Sequence, residues 1–254
     1  MNRNAVDPLA DRPHGAAQPA DAAAGSLAVP MPDRFALAAP GARAQRVLDV
    51  AIALPALTVF GAVLPLLALV IKLDSPGPVF YRQERIGQNR RRRGGGEAGR
   101  RTNRRKAVMP GRPFLMWKLR TMRTDAERHG PALAVKGDAR VTRVGRFLRR
   151  TRLDEVPQFL NVLRGEMSVV GPRPERLCFI SRFEPDVPRY RDRLLVRPGI
   201  TGLAQVENGY DTGLDSVRRK VKLDCAYIER ASVRTDLDIL RRTVRVVLKG
   251  TGAL

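Results

Sequence analysis

VAIALPALTVFGAVLPLLALVI, Val50 to Ile71, is the chain's long apolar run, and it carries no charge over 22 residues. As a straight helix it would be roughly 33 Å long at ~1.5 Å per residue, enough to cross a bilayer. It starts far from Met1 and no small-residue cleavage region follows, so it does not read as a secretory signal. Apolar residues on every face argue against a half-buried core helix. Pro55, Gly61 and Pro65 lie inside the run and predict a kink. Arg34, Arg43 and Arg46 precede it, while Lys72, Arg82, Arg85 and Arg90 to Arg93 follow. Basic residues near a segment end favour the cytoplasm, and both ends carry them. A helix that enters, breaks and returns to the same face satisfies both flanks. Backbone groups freed at the break would cost several kcal/mol each in hydrocarbon unless re-paired, which keeps the plain spanning form open.

Outward from this run, residues 1–42 are rich in Ala, Pro, Asp and Gly without periodicity and read as a disordered tail. Residues 43–73 form the membrane segment and 74–254 a domain at its cytosolic face. The formal net charge of +22 points to nucleic acid or to the anionic inner face of a membrane. Eight Arg and one Lys against one Glu between Asn89 and Lys106 supply +8 of that charge in a single Arg/Gly-rich insertion, residues 89–107. Cys178 and Cys225 are too few for a disulfide framework and fit no metal spacing. His14 and His129 stand in polar segments, so histidine triads and zinc sites find little support.

Ser75-Pro76-Gly77-Pro78 marks a turn, after which Val79 to Gly87 alternates enough to be a strand. Pro113 to Met122 is its plausible partner, with the insertion between them. Six arginines in Asp138 to Arg152 alternate with Val141, Val144, Phe147 and Leu148 at helical spacing, a basic amphipathic helix suited to a membrane surface. Val156, Phe159, Leu160 and Leu163 predict a helix over Glu155–Arg164 with Asp154 as N-cap. Leu237, Leu240, Val244 and Leu248 predict a further amphipathic helix. The fold class expected is α+β, predominantly α: a membrane helix, re-entrant or spanning, followed by amphipathic interfacial helices and a small β-hairpin.

The chemistry concentrates in LDEVPQFLNVLRGEMSVVGPRPE, Leu153 to Glu175. Neighbouring helix positions differ by about 100°, so Asp154 and Glu155 would hold separate jobs. A carboxylate at a helix start suits a nucleophile, a magnesium ligand or simple capping. Prolines on both sides of Arg173 extend the backbone and fix where its guanidinium points, and Arg197 before Pro-Gly repeats the device. Each alone is more often a turn with a surface arginine.

SPGPVFYRQERIG, WKLRTM, the stretch from Asp138 to Glu175 and RPGITGLAQV together resemble the bacterial sugar transferase family, the monotopic phosphoglycosyl transferases, over residues 46 to about 250. The resemblance implies a re-entrant helix and transfer of a phosphosugar from a UDP-sugar to undecaprenyl phosphate, with Mg²⁺ and release of UMP. Such a step begins exopolysaccharide, capsule or O-antigen synthesis at the cytoplasmic face of the bacterial inner membrane. By motif, Asp154 would be the nucleophile and Glu155 its partner beside the metal. Lys118, Arg149, Arg173 and Arg197 would surround the phosphates, with Asp224 an acidic position nearby. Gly61-Ala62 stands where the family usually breaks its helix at Ser-Pro. Anionic lipids are expected partners, a homodimer would be unsurprising, and nucleic acid is not expected. The rival reading is a membrane-tethered nucleic-acid-binding protein that uses the arginine-rich insertion.

Overall fold

The computed structural model describes residues 42–89, 109–128, 130–132, 137–208 and 213–249. Apart from Ala42, which opens the first helix, the expected tail lies outside the described residues, as does almost all of the Arg/Gly-rich insertion. The rest is mostly helical with two small two-stranded sheets, as the α+β reading expects.

The apolar run is the centre of α1, Ala42–Asp74. Only 11% of its apolar window is buried against the protein, and it is long and apolar enough to cross a membrane. Helix continues through both Pro55 and Pro65, so the expected break is not an interruption of the helix. Each proline nevertheless removes one N–H bond and presses on the carbonyl four residues earlier. Both ends of α1 are fastened to the same globular body. Near its start, Asp49 Oδ1 accepts from Ser168 Oγ and the Val169 N–H, both at 2.8 Å, and Arg46 donates to the Val162 and Leu163 carbonyls. At its end, Asp74 accepts from the Val144 N–H at 3.0 Å.

Buried Arg120 completes that end. Its guanidinium donates to the Ser75 carbonyl and Ser75 Oγ, each at 2.7 Å, to Pro76 and Pro78 carbonyls, and to Ile71 O at 3.4 Å. A cation thus reaches one of the last carbonyls of a long helix, where the macrodipole is negative, and gathers the carbonyls of the turn that follows.

β1, Phe80–Ile86, pairs antiparallel with β2, Pro113–Leu119, placing Tyr81 opposite Lys118. This is the expected hairpin. α2, Arg143–Thr151, begins at Thr142, whose hydroxyl accepts from the Gly145 N–H. It packs Leu148 and Val144 against Phe60, Ile71 and Leu119, joining the amphipathic helix to α1. The helix expected over Glu155–Arg164 starts differently. Leu153–Gln158 is a 3₁₀ helix, and α-helix follows only in α3, Phe159–Leu163. Pro157 has no N–H for the Leu153 carbonyl, which removes an α-type bond from the first turn. Asp154 therefore lies inside that turn rather than capping it, and Arg152, at φ 59°, is the cap residue.

β3, Ser168–Val170, and β4, Gly199–Thr201, pair parallel, a sheet that the sequence pattern does not announce. A Cβ on Gly199 would lie 2.1 Å from the Gly171 nitrogen, so only glycine lets the VVGP and RPGIT segments approach this closely. Beyond them come α4, Leu177–Phe183, α5, Leu203–Glu207, α6, Leu214–Glu229, and α7, Val233–Leu248. α7 matches the expected terminal amphipathic helix.

Candidate active site

A cavity of about 560 Å³ opens between the hairpin, α2, the 3₁₀ helix and the α4–α6 wall. Lys118, Arg149, Arg173, Asp154, Glu155 and Asp224 all line it, although they are spread over more than a hundred residues of sequence. The 3₁₀ turn delivers both acids. β2 delivers Lys118, α2 delivers Arg149, and the Pro-Arg-Pro segment leaving β3 delivers Arg173. That segment bridges back to β1 at Ile86–Glu175, which holds it extended.

The two acids are buried and differ in partners. Glu155 Oε1 receives Lys118 Nζ at 3.0 Å and Arg173 Nη2 at 2.5 Å, and its Oε2 lies 3.9 Å from Arg152. Burial opposes its charge, but Arg173, Lys118 and Arg152 outweigh that and hold it well below the usual carboxylate range. Asp154 Oδ1 is buried without a hydrogen-bond partner. Burial, and then the Glu155 charge, push the Asp154 carboxyl up to about 6. A committed anion thus stands beside an uncommitted one, the pattern of divided acid roles.

The cations are held as firmly. Arg149 Nε donates to Thr121 Oγ1 at 2.9 Å, while its Nη1 is buried without a partner. Asp224 is engaged by Arg193 Nε at 2.6 Å, and Arg193 Nη2 donates to the Arg173 carbonyl at 3.0 Å. Asp224 therefore steadies the Arg173 backbone through Arg193. Glu175 receives Lys220 at 2.7 Å, with Arg85 at 3.6 Å and Arg193 at 3.9 Å. Burial opposes its ionisation, yet Lys220, Arg193 and Arg85 bring it down to about 2.

Arg197 is not among the cavity's lining residues; its charge acts instead on Asp49 of α1. Residues that the sequence reading does not single out take its place. Arg85, Arg152, Arg176, Lys220 and Glu175 line the cavity, and Arg193 supports it from behind. Single basic residues in a chain with 47 Lys and Arg carry no local signal.

No group of three or more His, Cys, Asp or Glu able to hold a metal occurs among the described residues. Magnesium asks for less: one or two carboxylates, with substrate phosphates and water completing the shell. Glu155, ionised but engaged at Oε1 by Lys118 and Arg173, and the unpartnered Asp154 oxygen are the two carboxylates that could serve such an ion.

The family model described as bacterial sugar transferase matches residues 41–94 and 98–250. The chain is 40% identical over 209 residues to UDP-N-acetylgalactosamine-undecaprenyl-phosphate N-acetylgalactosaminephosphotransferase of Aeromonas hydrophila, covering 82% of this chain and 44% of that protein. It is 41% identical over 206 residues to UDP-glucose:undecaprenyl-phosphate glucose-1-phosphate transferase of Caulobacter vibrioides, covering 80% and 69%. With exopolysaccharide production protein PSS of Rhizobium leguminosarum it shares 39% identity over 206 residues, covering 79% and 92%. The chain thus spans under half of the Aeromonas protein and nearly all of the Rhizobium one. Matched over almost its whole described length, with the acids and cations of its long motifs gathered around one cavity, the chain belongs to the bacterial sugar transferase family.

Proposed function

We propose that this protein moves a phosphosugar from a UDP-sugar to undecaprenyl phosphate through a covalent aspartyl intermediate, the first membrane step of exopolysaccharide, capsule or O-antigen type synthesis. The carrying observation is Asp154: a buried carboxylate with an unpartnered oxygen, set among fixed cations. Names of relatives that act on UDP-sugars and undecaprenyl phosphate support the substrate class.

In the first step an Asp154 oxygen attacks the sugar-side phosphorus of the diphosphate. The bond from that phosphorus to the bridging oxygen breaks, and UMP leaves with the electron pair. In the second, a phosphate oxygen of the lipid attacks the same phosphorus and Asp154 departs as a carboxylate. No proton need move in either step. Arg149, with its unpartnered buried Nη1, and Arg173, fixed by its prolines, balance charge on the transferring phosphoryl group. Lys118 and Arg173 also hold Glu155 in place. Glu155 would hold Mg²⁺ together with diphosphate oxygens, and the ion would supply charge neutralisation there.

Attachment of both ends of α1 to one globular body supports the re-entrant reading, because a spanning helix would part them across the bilayer. With basic residues on both flanks, that body belongs at the cytoplasmic face of the inner membrane. The cavity around the acids favours an enzyme over the nucleic-acid-binding rival, whose arginine segment lies outside the described residues.

The test is incubation of membranes with a panel of UDP-sugars, undecaprenyl phosphate and Mg²⁺, following UMP, with mass spectrometry of protein trapped without acceptor. One UDP-sugar should release UMP and leave a phosphosugar on Asp154. No UMP from any donor, or an adduct elsewhere, overturns the reading.

A further inference from the structure

Resting on the UDP-sugar reading above, we propose that Glu127 and Tyr81 read the base of the donor: Glu127 accepts the ring N–H of uracil and Tyr81 donates to the carbonyl beside it. Both residues line the cavity. Tyr81 stands directly opposite Lys118 in the hairpin, and opposed residues of an antiparallel pair point to the same face. Lys118 belongs to the charged cluster around Glu155. A ligand whose phosphates lie at that cluster therefore meets Tyr81 and its neighbours next.

The polarity of this corner is fixed by groups that donate and cannot accept. Arg85 Nη2 donates to Gln83, so the receiving atom is Oε1, and Nε2 turns toward Tyr81 Oη at 3.0 Å and Glu127 Oε1 at 3.4 Å. Tyr81 Oη is thus an acceptor toward the protein, and its own hydrogen has no acceptor among the described residues. Burial, and then the Glu127 charge, raise the Tyr81 pKa, which keeps the phenol a donor. Arg176 Nη1 holds Glu127 Oε1 at 2.8 Å, and Oε2 has no hydrogen-bond partner among the described residues. One open acceptor and one open donor, joined through Gln83, face the same cavity.

Fixed polarity selects a base rather than a sugar. A sugar hydroxyl rotates and meets a donor or an acceptor alike. A pyrimidine edge cannot: uracil presents an N–H between two carbonyls, whereas cytosine has a bare nitrogen in place of the N–H and an amino group in place of one carbonyl. A carboxylate oxygen bonds the first and repels the second, the kind of mismatch that polar sites reject most strongly.

Equilibrium binding of UDP and of CDP, each with Mg²⁺, to full-length protein in phospholipid nanodiscs tests this. The parent should bind UDP about tenfold or more tighter than CDP, as one hydrogen bond to a charged group allows. In Glu127→Gln, Arg176 and Gln83 both donate to the new amide carbonyl, which turns its NH₂ to where Oε2 stood. That variant should weaken UDP and tighten CDP, erasing or reversing the preference. Tyr81→Phe keeps the ring and should weaken UDP about threefold or more, and CDP less; it decides the matter should Glu127→Gln lower the thermal midpoint. A parent without the preference overturns the proposal, as does a Glu127→Gln variant that keeps it. An equal loss for UDP and CDP also overturns it, by making Glu127 a brace for Arg176. So does a change seen with UDP-glucose or UDP-N-acetylgalactosamine but not with UDP, which would put the sugar at this corner. The two-step reading fails differently, with no UMP released from any UDP-sugar while the base preference and its loss persist.

Discussion

In the proposed reaction Asp154 serves two opposed demands with one side chain. Its burial favours the neutral acid, whereas attack on phosphorus needs the anion. The activity kcat/KM for the donor should therefore rise with pH up to about 6 and then level, falling roughly tenfold per pH unit below. The same perturbation bears on stability. A carboxyl raised from its unfolded value of 3.8 to about 6 stabilises the fold below pH 4, and that contribution disappears as pH rises through 6. Asp154→Asn should thus match the parent in stability at pH 4 and exceed it at pH 8, by at most about 3 kcal/mol, since a tenfold change in acidity is worth about 1.4 kcal/mol. UMP release should fall roughly a thousandfold or more. A thermal scan at both pH values, beside the UMP assay, checks both halves. Glu175 shows the opposite sign. Held down at about 2, it contributes stability above its ordinary range that is lost only in strong acid. Glu175→Gln leaves Lys220, Arg193 and Arg85 facing one another and should cost about 3 kcal/mol, read as a lowered urea midpoint at neutral pH.

At the scale of elements, the legible parts were those whose signal is local. The hairpin, α2 and α7 follow from alternation or helical spacing. The parallel β3–β4 pair did not show, because three-residue strands 31 positions apart leave no period to detect. The 3₁₀ start of the acid-bearing helix was hidden by a pattern of apolar residues that suits either helix type, though Pro157 held the clue. The candidate site divides similarly. Motif residues Asp154, Glu155, Lys118, Arg149, Arg173 and Asp224 converge, while Arg197 is absent from the lining and its charge acts on Asp49, and Arg152, Lys220 and Glu175 enter from scattered positions. What fixes α2 against the cavity is a contact that no helical period reveals. A Cβ on Gly145 would lie 2.1 Å from the Thr121 carbonyl oxygen, a backbone atom with little room to move. Gly145→Ala should push α2 outward, cost about 1–3 kcal/mol, and displace Arg149 from its Thr121 partner. A donor KM that rises together with a lowered thermal midpoint would register that displacement; a silent substitution would mean that α2 is loosely seated.

For the whole molecule, the arrangement of α1 decides which side of the membrane meets the cavity. Its exposed apolar residues, Leu54, Val59, Val63, Leu66 and Leu69, are clustered between two polar anchor points. Asp49 and Arg46 hold one end to β3 and α3, and Asp74 with Arg120 holds the other to α2 and the turn before β1. Breaking the second anchor alone, with Arg120→Met, removes a buried cation that serves five acceptors. It should destabilise the protein by about 3–5 kcal/mol and loosen the helix from the domain. The topology itself can be read by labelling. Val47 and Leu73 are exposed near opposite ends of α1, and Leu66 is exposed between them. With Cys178→Ser and Cys225→Ala as background, Val47→Cys and Leu73→Cys should both react with an impermeant maleimide in inverted inner-membrane vesicles and neither in intact spheroplasts. Leu66→Cys should be protected in both. One end labelled from each side would require the helix to span the bilayer, and the anchors at Asp49 and Asp74 could not then both hold, since the single body they grip would have to lie on both faces at once.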